Sequence, residues 1–200
     1  MADAAPWLLV GLGNPGAKYA GHRHNVGFMA VERWADRFAT PGADGWREKF
    51  HARTVTLSTP FGRVVVLEPQ TYMNRSGQSV GAAAGFFHVP PKQVVVVHDE
   101  IDFVLGRVAV KQGGGHGGHN GLRDIIPALG SAEFVRVRMG VGRPVHGEVA
   151  DWVLSDFGAS ERAIELPSML DRAEQAITAI LRDGVQAAML ATNTKGTGQA

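Results

Sequence analysis

Three short apolar runs, each leading into a turn or a polar segment, constrain the fold of this chain more than any other feature. They are Trp7 to Leu12, Val64 to Leu67 and Val94 to Val97. Each run is far shorter than the roughly 20 residues that a helix needs to cross a bilayer. Short continuous apolar runs are instead typical of strands buried on both faces of a sheet. We therefore expect a sheet flanked by helices on both faces, and no membrane-spanning segment.

Helical and strand patterns alternate along the rest of the chain. Apolar residues recur at helical spacing in the segments 24–38, 76–88, 122–129 and 161–181. Patterns typical of strands lie at 51–57, 63–67, 106–110 and 134–141, of which the first two predict a hairpin. This alternation, without a repeat or linker, predicts a single α/β domain with a twisted mixed sheet. We place the domain at residues 1–191 and expect the small, polar segment 192–200 to be a disordered tail.

The composition limits the chemistry that is available. The chain contains no cysteine, which excludes disulfides, thiolate nucleophiles and zinc ribbons. Any chemistry must therefore come from His, Asp, Asn or Ser side chains. The formal net charge of +1 decides nothing about nucleic acids, because phosphate contacts depend on local clusters of Lys and Arg. The first residues lack the order of a secretory signal, so we expect a cytoplasmic location.

Glycine is the outlier in the composition, with 26 of the 200 residues against a usual share of about 7%. In the segment 76–88, Gly77, Gly81 and Gly85 recur at four-residue spacing. This spacing puts them on one face of a helix and predicts that the small face packs closely on the core. The remaining glycines indicate that several backbone turns carry function.

The first glycine cluster, Gly11 to Gly16, matches the dinucleotide-binding fingerprint G-x-G-x-x-G. Its context argues against that function, because Gly21 interrupts the segment where the helix should run. The next predicted strand, 51–57, also lacks an acidic residue for a ribose hydroxyl. A tight turn after a buried strand explains the glycines equally well. Asn14 within the turn could offer both a donor and an acceptor to a substrate.

A histidine and an aspartate mark a second candidate site. His24 stands just before the first predicted helix, and Asp99 ends the apolar strand that contains Val94 to Val97. A histidine paired with a buried carboxylate is oriented and becomes a better base. No G-x-S-x-G nucleophile elbow occurs in the chain. A His–Asp pair that activates water therefore fits better than a serine hydrolase.

A divalent-metal site is the alternative for the same region. The candidate ligands are the acids and histidines of two neighbouring segments: His98, Asp99, Glu100, Asp102, His116 and His119. Clustered acids are more often solvated, and the last two histidines lie in a glycine loop rather than at the helical spacing of a zinc pair. The sequence therefore favours a site without a metal.

The segment 113–121 holds six glycines in nine residues. It could be a flexible turn, but such a backbone can also approach a ligand closely or move as a lid. Basic residues occur close to it in sequence: Lys111, Arg123, Arg136, Arg138 and Arg143. A phosphate ligand would explain them, and so would a solvated face. Strand alternation places Arg136 and Arg138 on one face.

Three strings together resemble one family, the bacterial-type peptidyl-tRNA hydrolases. The first is the Gly11 to Gly16 turn continuing through Tyr19 to Arg23-His24-Asn25, the second is Thr71 to Gly77, and the third is His98 to Asp102 leading into the glycine loop with Asn120. The resemblance covers residues 7–190. One departure is Tyr72, where the family's pattern leads us to expect Phe.

The resemblance implies a monomeric α/β enzyme of the cytoplasm that hydrolyses the ester between peptide and tRNA and rescues tRNA from aborted translation. Peptidyl-tRNA is the implied partner, with no obligate protein partner, membrane, cofactor or metal. The resemblance makes His24 the general base and Asp99 its orienting partner. It assigns substrate binding to Asn14, Tyr19, Met73, Asn74 and Asn120, and tRNA phosphate to Lys111 and Arg138. The alternatives are an RNA-binding module without catalysis and a dinucleotide oxidoreductase.

Overall fold

The computed structural model describes residues 5–39 and 45–194. Within these residues, seven strands form one sheet in the order β2-β3-β4-β1-β5-β7-β6. The strands are β1 (Trp7–Gly11), β2 (Arg47–Lys49), β3 (Ala52–Thr59), β4 (Gly62–Pro69), β5 (Val94–Glu100), β6 (Val108–Gln112) and β7 (Val135–Gly140). The three apolar runs of the sequence are the neighbours β4, β1 and β5 at the centre.

The sheet is mixed, as the sequence predicts. The four central strands β4, β1, β5 and β7 are parallel, whereas β2, β3 and β6 pair antiparallel at the two edges. The expected hairpin is β3 and β4, in which Ala52 lies opposite Pro69 and Thr59 opposite Gly62. Central parallel strands must be covered on both faces, which explains their continuous apolar sequences.

Helices cover both faces of the sheet. They are α1 (Val26–Asp36), α2 (Ser76–Phe87), α3 (Asn120–Leu129), α4 (Val149–Val153), α5 (Ala159–Ala163), α6 (Glu165–Asp183) and α7 (Val185–Thr194). The single helix expected over 161–181 is thus divided into α5 and α6. None of the helices in the described ranges is both long and apolar enough to pass through a bilayer.

Alternation along β1 separates two hydrophobic cores. Leu9 lies on the face covered by α1 and α6, where it shares a buried cluster with Trp34. Leu8 and Val10 lie on the opposite face with Ile125 of α3. Because the buried side chains of the central strands alternate between the two cores, the sheet is held between both helical layers.

Helix α1 touches the ends of β1 and β5 through glycine. A Cβ atom added at Gly27 would lie 2.4 Å from the carbonyl oxygen of Val97 and 2.5 Å from the amide nitrogen of Leu12. A Cβ at Gly11 would meet the carbonyl oxygen of Gly27 at 2.5 Å. This backbone contact brings the turn before α1 directly to the carboxyl ends of the two central strands.

The glycine face of α2 packs on a helix rather than on the sheet. A Cβ at Gly77 would lie 2.3 Å from the carbonyl oxygen of Asp124, and one at Gly81 would lie 3.3 Å from that of Ala128, both in α3. Gly85 has open space around it. The expected close packing on the core is therefore corrected to close packing of α2 on α3, and it involves two of the three glycines.

The end of the domain also differs from the prediction. The sequence places residues 192–194 in a disordered tail, but they complete helix α7. The side-chain oxygen of Asn193 accepts a hydrogen bond from the Val110 N–H at 2.9 Å, and its side-chain NH₂ group donates to the Val110 carbonyl oxygen at 3.0 Å. The boundary at residue 191 is therefore wrong, because Asn193 ties α7 to the edge strand β6. The rest of the predicted tail, 195–200, lies outside the described residues.

Asn193→Ala is expected to lower the free energy of unfolding by about 1–3 kcal/mol, because it leaves the N–H and C=O of Val110 without their partner. Urea unfolding followed by circular dichroism measures the change. Gln186→Ala is the matched control, since it shortens an exposed side chain of the same helix and should change stability by less than about 0.5 kcal/mol. Equal stability of the two variants would contradict the role of Asn193.

Candidate active site

The polar residues singled out in the sequence gather at the carboxyl ends of β1 and β5. Parallel strands whose connecting helices lie on opposite faces leave a crevice at this edge. The structure has a cavity of about 420 Å³ there, lined by His24, Asp99, His119 and the glycine loop 115–118. Val149, Ala150 and Val153 of α4 add an apolar part of the wall.

His24 and Asp99 form the central pair of the cavity. His24 lies in a 3₁₀ turn, Arg23–Asn25, directly before α1, and Asp99 lies at the end of β5. Nδ1 of His24 is 2.9 Å from both carboxylate oxygens of Asp99, and both residues are buried. Because the carboxylate can only accept, Nδ1 carries the proton and Nε2 is the ring's acceptor. The expected pairing is present.

His119 is a second partner of the same carboxylate. Its Nε2 is 2.9 Å from Asp99 Oδ1, while its Nδ1 accepts from the backbone N–H groups of Gly121 and Leu122 at the start of α3. The accepting Nδ1 fixes the neutral tautomer, so Nε2–H donates to Asp99. In the sequence analysis, His119 is a candidate ligand of the alternative metal site and is not assigned as a partner of Asp99. Its place just before a helix is the signal that could have suggested a cap.

The two histidines determine the charges of the site. Burial raises the pKa of Asp99, but the positive charge of His24 and the hydrogen bonds from His24 and His119 outweigh it and hold that pKa well below its usual range. Burial lowers the pKa of His24, but the charge and hydrogen bond of Asp99 outweigh this effect, and the net pKa is raised. Asp99 is therefore a permanent anion that favours the protonated form of His24.

His98 is buried beside this pair and stays neutral. Burial lowers the pKa of His98 to about 3. Its Nδ1–H donates to the carbonyl oxygen of Asp99 at 2.7 Å, and its ring lies edge-on to that of His119 with the centroids 4.9 Å apart. His98 thus fixes the backbone of Asp99 without adding a charge.

A second set of amides holds the turn after β1. The Asn25 side chain accepts from the Asn14 N–H at 3.0 Å and donates to the Asn14 carbonyl at 2.9 Å. The side-chain oxygen of Asn14 accepts from the Met73 N–H at 2.8 Å. Since Oδ1 is used, Asn14 offers its Nδ2 group as a donor at this edge. The sequence alone assigns no separate role to Asn25.

The same turn lacks the surroundings of a dinucleotide site. Gly16 is followed by the short 3₁₀ turn Ala17–Tyr19, and α1 begins only at Val26. The fingerprint needs a helix N-terminus at the glycines to receive the pyrophosphate. The dinucleotide interpretation therefore has no helix in the required place.

The sequence matches a known family along almost its whole length. The family model described as peptidyl-tRNA hydrolase matches residues 8–199. The chain belongs to the peptidyl-tRNA hydrolase family. The peptidyl-tRNA hydrolase of Sorangium cellulosum is 50% identical over 191 residues, which cover 94% of this chain and 84% of the relative. That of Pseudarthrobacter chlorophenolicus is 50% identical over 91% of this chain and 92% of the relative.

Solved structures of peptidyl-tRNA hydrolases share the fold. A crystal structure of the Acinetobacter baumannii protein has a TM-score of 0.85 and 38% identity, and covers 96% of this chain and 97% of that chain. A complex of peptidyl-tRNA hydrolase with N-propanol has a TM-score of 0.86 and 37% identity, with the same coverage. The resemblance noted in the sequence and the α/β fold with its mixed sheet are confirmed.

The residues that the family resemblance assigns to substrate binding differ in exposure and in whether they line the cavity. Asn120 lines the cavity and is exposed. Asn74 is exposed in the 3₁₀ turn after β4, and Tyr19 is half-buried with its ring edge-on to His22. Met73 is buried among apolar residues and contributes its backbone N–H to the site. Asn14, Tyr19, Met73 and Asn74 lie outside the wall of the cavity itself.

The basic residues expected to meet tRNA phosphate surround the cavity. Lys111 is exposed at its rim. Arg138 also lines it, but its guanidinium donates twice to Glu100, at 3.0 and 2.9 Å. Arg136 shares that face, as strand alternation predicts, and donates to the carbonyls of the glycine loop. The region is thus cationic, although Glu100 neutralises part of the charge.

The side chains that could bind a metal differ from the set that the sequence suggests. Glu100 and Asp102 are engaged by arginines. Among residues 5–39 and 45–194, those that could hold an ion are His24, Asp99 and His119, whose ligand atoms lie within 4.8 Å of one another. A metal between them would have to displace the two protons now donated to Asp99, because both ring nitrogens must be deprotonated to coordinate.

Proposed function

We propose that the chain hydrolyses the ester that joins a peptide to the terminal ribose of tRNA, with His24 as the general base for water. One observation carries the mechanism: Asp99 binds the Nδ1 side of a ring that lines the cavity, which leaves Nε2 to accept a proton. Membership of the peptidyl-tRNA hydrolase family supports the substrate. An activated ester needs no covalent nucleophile when water, a base and an oxyanion donor are in place.

The reaction is proposed to proceed in two steps. Nε2 of His24 takes a proton from water as the oxygen attacks the ester carbonyl, and Asp99 stabilises the imidazolium that forms. The tetrahedral intermediate carries its negative charge on the former carbonyl oxygen, where the amide donors of Asn14 and Asn120 would stabilise it. His24 then returns the proton to the ribose oxygen as the ester bond breaks. The products are the free peptide and tRNA with a free hydroxyl on its terminal ribose.

His119 supports the base indirectly in this scheme. Its Nε2–H and the Nδ1–H of His24 both donate to Asp99, and its ring is fixed by the first N–H groups of α3. A carboxylate held by two donors cannot rotate away from either ring. We infer that His119 keeps Asp99 ionised and in place, so that His24 keeps the tautomer that the reaction needs.

The remaining assignments follow the substrate outward from the ester. We propose that Tyr19, Met73 and Asn74 contact the peptide side, on the loops that flank Asn14. Lys111 and Arg138 would bind tRNA phosphate on the other side of the cavity. From the resemblance we also propose a cytoplasmic monomer without an obligate protein partner.

Release of labelled peptide from a peptidyl-tRNA tests the proposed function directly. Free aminoacyl-tRNA is the control substrate, since the family resemblance implies a peptide on the ester. Titration with a nicotinamide cofactor examines the oxidoreductase alternative in the same preparation. Binding of peptidyl-tRNA without any release of peptide would instead support an RNA-binding module.

When kcat is plotted against pH, the midpoint of the acid limb is expected to lie above the ordinary pKa of histidine, about 6.5. Hydrolysis needs neutral His24, so activity falls as pH falls through its raised pKa. Asp99→Asn removes the charge that raises this pKa and keeps the burial that lowers it. The limb should therefore move to lower pH while the plateau rate falls. A limb that stays in place in Asp99→Asn would contradict the coupling of the two groups.

Lys111→Ala and Arg138→Ala are expected to raise KM several-fold with little change in kcat, because phosphate contacts lie away from the reacting ester. Each should also reduce the salt slope of binding by about one unit. Glu100→Gln should lower KM instead, since it frees the guanidinium of Arg138. Steady-state kinetics at several salt concentrations give KM, kcat and the salt dependence for each variant. If KM is unchanged in all three variants, the basic residues do not bind phosphate.

A further inference from the structure

A buried arginine immediately precedes the proposed base. The side chain of Arg23 is 5% exposed, and its guanidinium carbon lies 3.9 Å from the ring centroid of Trp152 and 4.9 Å from that of Phe157. Its Nη2 donates to Glu161 Oε2 at 2.8 Å. A planar cation that meets two aromatic rings and a carboxylate is held in one orientation.

Stability alone gives little reason for this arginine. Two further donors, Nε and Nη1 of Arg23, are buried and have no hydrogen-bond partner among the described residues. A buried charge with unpaired donors costs free energy that an apolar side chain of similar size would not. The ion pair with Glu161 offsets only part of this cost. The arginine therefore calls for a role besides filling space.

Backbone contacts join the same two segments of chain. The N–H of Arg23 donates to the carbonyl oxygen of Ser155 at 3.0 Å, and His22 forms an isolated β-bridge with Asp156. A Cβ atom at Gly21 would lie 2.8 Å from the carboxylate of Asp156. His22 and Arg23 are thus bonded to the segment 149–161, which contains α4 and the start of α5, and Gly21 packs closely against it.

The segment 149–161 also walls the cavity. Val149, Ala150 and Val153 line it. Trp152 is fixed on its other side, because its Nε1–H donates to the carbonyl oxygens after β7, at 2.9 Å for Gly142. The indole therefore connects the end of β7 to the guanidinium of Arg23, and through Arg23 to the turn that carries His24.

We propose that Arg23 is a positioning residue that locks the turn of His24 onto the cavity wall 149–161. Asp99 holds the imidazole ring from the sheet side, and Arg23 holds the backbone of the same turn from the wall side. Together they fix Nε2 of His24 relative to a substrate bound between loop and wall. The inference rests on the proposed role of His24 as the base.

Arg23→Lys tests the inference, because lysine keeps the charge but cannot stack as a plane between the two rings. We expect kcat per folded enzyme to fall about tenfold with KM within about twofold, since a small misplacement of a catalytic group affects mainly the chemical step. The acid limb of kcat should stay at the wild-type pH, because Asp99 is unchanged. Single-turnover hydrolysis across pH measures both quantities.

A second readout concerns the turn itself. Proton NMR should show the His24 Nδ1–H in wild type as a far-downfield signal, since the proton is held by a carboxylate. In Arg23→Lys this signal should broaden through faster exchange. Glu161→Gln leaves Arg23 in place and changes a partly exposed side chain, so it addresses the possibility that Arg23→Lys fails to fold. Glu161→Gln should lower kcat about threefold, again with KM nearly unchanged and the acid limb at the wild-type pH.

Arg33→Lys is the matched control. Arg33 also pairs with carboxylates, Asp171 and Glu174, but it joins α1 to α6 away from the cavity. Arg33→Lys should lower the free energy of unfolding without changing kcat. If Arg23→Lys and Glu161→Gln behave like this control, Arg23 is structural only and the inference is wrong. A shifted acid limb in Arg23→Lys would also overturn it, whereas absence of hydrolysis by the wild type would overturn the proposed function itself.

Discussion

His24→Ala is expected to lower kcat for peptidyl-tRNA by about 10²–10⁴-fold, the usual contribution of a positioned general base. KM and the fold should change little, because the ring lines a cavity and does not belong to either hydrophobic core. Rapid-quench measurement of peptide release determines kcat, and circular dichroism confirms the fold. Comparable activity of this variant and the wild type would remove His24 from the mechanism.

Asp99→Asn is expected to have a smaller but still large effect. The amide can keep a hydrogen bond with His119, yet it cannot stabilise the imidazolium of His24. If its NH₂ group faces Nδ1 of His24, the ring takes the opposite tautomer, in which Nε2 carries the proton and cannot act as a base.

The double variant distinguishes a coupled pair from two independent groups. Residues that act as one unit give losses that do not multiply. His24→Ala combined with Asp99→Asn should therefore be hardly slower than His24→Ala alone. Losses that multiply would mean that Asp99 acts elsewhere than through His24, and the mechanism would have to be abandoned.

The amino-acid sequence was sufficient to predict the central strands and the central pair. Buried parallel strands have continuous apolar sequences, so β1 and β5 could be identified from the pattern of residues alone. Asp99 ends one of these strands and His24 stands just before the first predicted helix, which led to the expected pairing of the two side chains. These predictions depend on local patterns, and local patterns are what a single sequence records.

What the sequence did not reveal depends on contacts between distant segments. His119 shares Asp99 because α3 begins beside the end of β5. Arg138 pairs with Glu100 across neighbouring strands, so its availability to phosphate is smaller than its charge suggests. Asn193 holds an edge strand 83 residues earlier in the chain. Each of these depends on tertiary distances that no periodicity encodes.

Gly27→Ala is expected to destabilise the protein by about 3 kcal/mol, at the upper end of overpacking effects. The added methyl carbon would lie 2.4 Å from the Val97 carbonyl oxygen and 2.5 Å from the Leu12 nitrogen, and backbone on both sides cannot move without separating α1 from the strand ends. Such a shift carries the neighbouring turn with it, so we expect kcat to fall as His24 moves relative to Asp99. Urea unfolding and peptide release measure the two effects.

Gly85→Ala makes the comparison decisive, because it adds the same methyl group to a helix at a position with open space around it. There alanine only improves helix propensity, so the free energy of unfolding should rise by up to about 1 kcal/mol with kcat unchanged. The two substitutions are chemically identical, and their opposite signs would follow solely from what surrounds each glycine. If Gly27→Ala were also stabilising, α1 could not be packed against the ends of β1 and β5, and the position of His24 over Asp99 would need another explanation.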